Sequence, residues 1–225
     1  MLKKNILNTP YIRLVIVISI DGRVCDRNGL SQTIGGIGDR KVLENALAWS
    51  DATLMGTGTL KALKNICLIH NLNSLEKRNL EGKDNQPISL VIGKSQNISP
   101  EYDYFKQPVK RWLISTEDEN KINSKVKNKF TMILKKKFTW SETLSDLQKL
   151  GLSKIVLLGG PKLIESFLIE DRINELQLTI APKILGGDYP WLNYKDSYNE
   201  SKWLLKETKV LENDELLVRY IRNKK

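Results

Sequence analysis

Two short turns hold the residues best suited to chemistry. In Lys154-Ile-Val-Leu-Leu-Gly-Gly-Pro-Lys-Leu-Ile164 an apolar run enters two glycines and then a proline. Proline suits the first helical turn, because the N–H it lacks would have no partner there. The glycines let backbone approach a bound group closely. The helix start that follows carries about half a positive charge, which favours a phosphate. A bare strand-to-helix turn would be written the same way, and this pattern alone does not separate the two. Leu54-Met-Gly-Thr-Gly-Thr59 is a second turn of this kind, again after an apolar run. In an open α/β sheet, ligands sit beyond the carboxyl ends of the strands, where two such turns could hold a pyrophosphate between them.

Other chemistries find little support. His70 is the only histidine, so neither a Ser-His-Asp nor a Cys-His arrangement is indicated. Zinc would need several Cys or His ligands at short spacing. Neither a Gly-x-x-x-x-Gly-Lys phosphate loop nor a Gly-x-Gly-x-x-Gly fingerprint after the first apolar run is present. A reaction whose reactive group arrives on a bound cofactor fits this shortage of reactive side chains. Asp21 is a candidate general acid, although Asp21-Gly22 is first a turn signal; a bound water or a substrate hydroxyl would serve equally. Glu44 and Asp39 read as exposed helix charge.

The 225 residues and 40% hydrophobic content suit a single globular domain over 1–225, with its core at about 10–222. Cys25 and Cys67 read as free thiols, and no export signal or membrane span is indicated, so the cytoplasm is expected. The net charge of +10 is mostly lysine, and seven lysines between Lys121 and Lys137 meet no acid within that stretch. That run reads as a solvated face; nucleic acid is the minority reading.

The elements that must position the turns follow from periodicity. Tyr11–Ser19, Ala52–Gly56, Ile88–Ile92, Arg111–Ser115, Thr131–Leu134 and Lys154–Leu158 read as strands. Helices are expected at Asp39–Trp49, after the capping box Thr139-Trp-Ser-Glu142, and at Lys162–Glu170. Lys64–Gln86 reads mostly as loop. Two strands around Trp203–Val210 and Glu215–Ile221 close the chain as a hairpin. This order predicts an α/β sandwich, a mostly parallel sheet with helices on both faces and an antiparallel edge.

Several motifs recur in a familiar order: Pro10-Tyr-Ile-Arg-Leu, Ser19-Ile-Asp-Gly-Arg23, Ser31-Gln32 with Ile34, Asp51-Ala, Gly56-Thr-Gly-Thr59, Gly159-Gly-Pro161, Ala181-Pro182 and Leu185-Gly-Gly187. Together they resemble the reductase domain of the riboflavin-biosynthesis deaminase/reductase, over roughly Pro10 to Ile221. The resemblance implies a dihydrofolate-reductase-like fold, a homodimer, and an NADPH-dependent reductase acting on a 5-amino-6-(5-phosphoribosylamino)uracil-type substrate by hydride delivery to C1′. It assigns NADPH to Val17, Thr33, Gly56, Gly58, Thr59, Ser115, Gly159, Gly160, Pro161, Lys162, Leu163 and Ile164, and the substrate to Ser31. Thr116 joins Ser115 as an adenosine-phosphate contact.

The departures fall in the substrate half. Where the family has a lysine, a tryptophan, an arginine, an Asp-Asp-Pro and a glutamate, this chain has Val15, Thr33, Leu47, Leu63-Lys64-Asn65 and Leu158. A lost arginine removes a strong charge-assisted contact to phosphate. The cofactor half is thus expected to be kept and the substrate half rewritten. The alternatives are a same-fold reductase with another small substrate and a non-catalytic nucleotide-binding homologue. No zinc-ligand set precedes the domain, so any deamination is expected from another protein.

Overall fold

A computed structural model describes residues 8–29, 34–192 and 200–223. Ser31 and Thr33 lie outside the described residues. The first strand, β1 (Tyr11–Ser19), is apolar from Leu14 to Ile18 because both of its faces are covered. Ile12 and Leu14 enter one core, whereas Val15 packs with Ala46 and Val156 on the other face.

The remaining strands are β2 (Ala52–Gly56), β3 (Ile88–Gly93), β4 (Arg111–Ser115), β5 (Met132–Lys135), β6 (Lys154–Gly159), β7 (Glu175–Ala181), β8 (Trp203–Val210) and β9 (Leu216–Arg222). They form one nine-stranded sheet in the order β5-β4-β3-β2-β6-β1-β7-β9-β8. Pairing is parallel except for β9, which runs antiparallel to both β7 and β8. The expected α/β sandwich with its closing hairpin is therefore present.

Helices α1 (Ile37–Trp49), α2 (Thr57–Leu63), α3 (Leu72–Leu80) and the short α4 (Ser124–Lys127) serve the crossovers that lead from β1 to β5. Helices α5 (Trp140–Lys149) and α6 (Pro161–Ile169) bring the chain back across the opposite face to β6 and β7. Leu60 and Val126 pack on the first face, and Leu144, Leu147, Ile164 and Phe167 on the second. Reversing both direction and face keeps every crossover of one hand. As a result β2 and β6 are neighbours whose chains leave toward opposite faces, which opens a crevice between them.

Three differences from the sequence reading have clear causes. The loop expected at Lys64–Gln86 contains α3, whose inward residue is Arg78, only 2% exposed. Its guanidinium donates to the Leu47, Ala48 and Ser50 carbonyls and so closes the end of α1. A helix that buries an arginine shows no apolar stripe. Strand β7 hides in the same way, because Glu175, Gln177 and Thr179 alternate into a buried layer. The turn expected at Gly56–Thr59 is in fact the first turn of α2. The lysine run does meet acids, from just outside it: Lys127 pairs with Glu119 and Lys135 with Asp118, in exposed pairs of the kind expected of a solvated face. The capping box forms as read, Thr139 Oγ1 accepting from the Glu142 amide at 3.2 Å and Glu142 Oε2 from the Thr139 amide at 3.0 Å.

Candidate active site at the carboxyl edge of the sheet

The register brings the two glycine turns together: Met55 pairs with Gly159 across β2 and β6. A methyl placed on Gly160 would meet Thr59 Oγ1 at 3.1 Å, so the turns are in contact. Gly159 has a φ of +87°, a conformation that side chains rarely adopt. A methyl on Gly56 or Gly58 would meet nothing within 4 Å, so the β2 turn faces open space. On the opposite side of the crevice α6 begins at Gly160 with no side-chain cap, and Pro161 follows. Uncapped amides and the helix dipole therefore point into the same space, which suits a phosphate or pyrophosphate.

The other residues assigned to the cofactor divide by what they can present. Lys162 is exposed, whereas Leu163 and Ile164 are buried in the core and leave only backbone to the crevice. Val17 is half-buried and stands opposite Thr179 in the β1–β7 register. Ser115 is buried, with its hydroxyl donating to the Glu117 carbonyl at 2.9 Å and accepting from the Glu117 amide at 3.1 Å. That hydroxyl is committed to a turn, and the neighbouring Thr116 is the exposed residue there.

Asp21 is tied down by its surroundings. Its carboxylate accepts from the Ser19 hydroxyl at 2.6 Å, the Leu185 amide at 3.1 Å and the Gly186 amide at 2.8 Å. The Ser19 hydrogen bond, with help from those amides, holds its pKa down at about 2. It joins the end of β1 to the loop after β7 and is ionised at neutral pH.

Two residues read as exposed helix charge are not. Glu44 accepts the His70 and Asn71 amides at 3.1 and 3.2 Å, anchoring the start of α3. Asp39 is half-buried on the first turn of α1, and the Thr179 hydroxyl hydrogen-bonds its carboxyl. Burial raises its pKa and the nearby Glu215 charge adds to this, against the Thr179 bond and the Arg40 charge. Glu215, 2% exposed, accepts the Gly36 amide at 2.5 Å and the Asp39 amide at 2.9 Å. The signal for Asp39 was Gly35 before it: a methyl there would overlap the Asp39 carboxyl.

The apolar departures pack inward. Val15 and Leu47 are buried, and Leu158 packs against clusters on the α1 and α2 sides. Leu63 is half-buried at the end of α2.

Comparison with known proteins agrees with this architecture. The RibD C-terminal domain family matches residues 10–217. The riboflavin biosynthesis protein RibD of Buchnera aphidicola is 30% identical over 196 residues, 84% of this chain and 53% of that protein. The chain thus spans about half the length of that relative. A 2,5-diamino-6-ribosylamino-4(3H)-pyrimidinone 5′-phosphate reductase of Archaeoglobus fulgidus is 23% identical, covering 79% of this chain and 83% of that one. Among solved structures, a pyrimidine reductase-like protein of Corynebacterium diphtheriae superposes with a TM-score of 0.81 at 20% identity, over 97% of this chain and 94% of that one. Dihydrofolate reductase of Enterococcus faecalis, complexed with NADP(H), gives a TM-score of 0.53 at 14% identity, over 95% and 97%.

Proposed function

Because this chain belongs to the RibD C-terminal domain family, we propose that it is an NADPH-dependent reductase of riboflavin biosynthesis. Its substrate is a 5-amino-6-(5-phosphoribosylamino)uracil-type pyrimidine, reduced at C1′ of the ribosyl group. The observation that carries the reading is the contact of the two glycine turns at the β2–β6 crevice. Those turns fit the cofactor, because the space a side chain would fill at Gly56 and Gly58 faces the uncapped start of α6.

NADPH, when bound, supplies the hydride. The protein's part is to bind and orient. Gly56, Gly58, Thr59, Gly159, Gly160 and Pro161 form the pyrophosphate cradle, and Val17, on β1, keeps its assignment to the cofactor as a proposal. Ser31 and Thr33 keep their assignments to substrate and cofactor as proposals. Asp21 stays ionised and holds the β1 turn in place, so the proton for the ribosyl oxygen comes from water or from the substrate's own hydroxyl. A catalytic acid among these residues is not assigned.

A homodimer in the cytoplasm completes the reading. Leu204, Leu205 and Val210 on the edge strand β8, with Leu216 on β9, are exposed apolar residues that a second copy would cover. Among the described residues no helix is long and apolar enough to cross a membrane.

A second reading, a nucleotide-binding homologue without turnover, is favoured by the packing of Val15, Leu47 and Leu158 into the core, where they offer no polar contact. Titrating NADPH against tryptophan fluorescence, and then following NADPH oxidation with the uracil and the 2,5-diaminopyrimidinone ribosylamine phosphates, separates the two. The enzyme reading expects binding below millimolar concentration and oxidation with at least one pyrimidine. Binding without oxidation supports the second reading, and no binding removes both.

A further inference from the structure

Helix α1 starts without a cap of its own. The first amides of a helix have no partner within it. Gly36 holds the N-cap position and has no side chain to offer them. The Asp39 carboxyl, on the first turn, is engaged with Thr179. The partner comes instead from the far end of the chain. Glu215 Oε1 accepts the Gly36 amide at 2.5 Å, and Glu215 Oε2 accepts the Asp39 amide at 2.9 Å. Those are the N-cap and N3 amides, which a capping box divides between an N-cap hydroxyl and an N3 glutamate. Here one carboxyl, 2% exposed, serves both. Helix α5, by contrast, carries its own capping box in Thr139 and Glu142.

The turn that carries Glu215 is shaped to sit on α1. It joins β8 to β9, is closed by the Leu211 amide on the Glu215 carbonyl at 2.7 Å, and holds Asn213 and Asp214 at φ of +60° and +58°. A methyl on Gly38 would meet Leu211 Cβ at 2.7 Å and the Glu212 backbone nitrogen at 3.1 Å, so glycine lets the helix and the turn close on each other. One step upstream, Ile34 is 1% exposed and its carbonyl accepts from Lys183 Nζ at 3.3 Å. The stretch from Ile34 to Asp39 is thus held by Lys183, Thr179 and Glu215, all from β7, β9 or the loops beside them. Ser31 and Thr33, assigned above to substrate and cofactor, come just before it in the chain.

We propose that Glu215 is a positioning residue of the candidate active site: it caps α1 in trans and so fixes the stretch that leads from Ser31 and Thr33 into the helix. The roles of Ser31 and Thr33 rest on the reductase reading; the capping does not. A glutamate that served folding alone would, when removed, lower the folded fraction and the apparent kcat at unchanged KM. A positioning glutamate, when removed, raises the KM of the pyrimidine.

Wild type is compared with Glu215→Ala, Gly36→Ser and the double variant. The readouts are amide hydrogen exchange, NADPH affinity by tryptophan fluorescence, and steady-state NADPH oxidation with 5-amino-6-(5-phosphoribosylamino)uracil. Gly36 has a φ of −102°, ordinary for any residue. In wild type a methyl there would meet Glu215 Oε1 at 3.2 Å and Asn213 Nδ2 at 2.8 Å; without the Glu215 side chain only the movable end of Asn213 remains. A serine can then cap the Asp39 amide from its own helix. Glu215→Ala is expected to speed exchange at residues 34–40 about tenfold. It should raise the pyrimidine KM about tenfold, with NADPH affinity within about threefold of wild type. Adding Gly36→Ser should return both exchange and KM to within about threefold of wild type, whereas Gly36→Ser alone brings no gain. Where the alanine variant does not fold by itself, Glu215→Gln, which keeps the shape but a single acceptor, should raise KM about threefold. The proposal is overturned if exchange at 34–40 is unchanged on removing Glu215, if the serine restores nothing, or if the folded variants keep the wild-type KM. Absence of oxidation by the wild type would remove the reductase reading alone, and the exchange measurement would then decide the role of Glu215 by itself.

Discussion

At the β2–β6 crevice the protein presents backbone: two glycine turns, an uncapped helix start and almost no side chain. Across β1, β7 and β9 it does the reverse and buries charged side chains in a layer of their own. Glu175 is fully buried there, bound by Arg219 at 2.5 and 2.8 Å, by Tyr11 Oη at 3.0 Å, and by Arg13 at 3.3 Å. Arg13 in turn stacks on Trp49 at 3.8 Å. The first region can accept a ligand without rearranging any side chain. The second spends its polar groups on one another. The contrast separates the place proposed to take the cofactor's phosphates from a face whose polarity is structural.

The strongest way to break this comparison is to remove the centre of the buried layer. Glu175→Ala leaves Arg13 without its ion-pair partner and Arg219 with Glu207, and is expected to cost about 3–5 kcal/mol in chemical denaturation. NADPH affinity of the folded fraction should not change. A loss under about 1 kcal/mol would mean that the layer is not structural. The same residue sets a pH dependence. Burial pushes the Glu175 carboxyl up, but the Arg219 hydrogen bonds and the Arg13 charge outweigh it and hold the pKa below the usual glutamate value. Its stabilisation is therefore complete above the unfolded pKa and is lost as pH falls through the lower, folded one. Asp39 has the opposite sign, since its raised pKa gives a contribution present at low pH and lost as pH rises. Acid-side unfolding should be less steep in Glu175→Ala than in wild type.

The cradle is tested next by Gly56→Val. The φ of Gly56 is −80°, ordinary for any residue, and no atom lies within 4 Å of the added carbon. Folding should tolerate the change, while NADPH affinity should fall at least about tenfold, or 1.4 kcal/mol. Equal affinity, measured by tryptophan fluorescence, would move the cofactor out of this crevice.

What could be read in the sequence follows the same division. The glycine spacing pointed to the two turns, of which only Gly159 needs a conformation that side chains rarely adopt while Gly56 and Gly58 leave open space beside them, and continuous apolar runs announced the buried parallel strands. Strand β7 and helix α3 stayed hidden because Glu175, Gln177, Thr179 and Arg78 point inward, and polar residues in sequence look like surface. Asp39 was hidden for that reason too. Its burial depends on Thr179 and Glu215, both more than a hundred residues away in the chain. The register that joins them arises only once β1, β7 and β9 have paired.

The smallest expected effect concerns Asp21, which belongs to neither region but joins them at the end of β1. With its pKa held at about 2, chiefly by the Ser19 hydroxyl, it is ionised throughout the neutral range and has no proton to give. Asp21→Asn keeps an oxygen for the Ser19 hydroxyl and the Leu185 amide but gives up the acceptor facing the Gly186 amide. The turn should persist, with kcat and KM of NADPH oxidation changed by less than about threefold. The pH profile of kcat should keep its shape. A fall of about a hundredfold in kcat with loss of one limb of that profile would show that Asp21 moves a proton after all. The turn would then be catalytic, and the line between a cofactor region of backbone and a structural region of side chains would have to be redrawn through the end of β1.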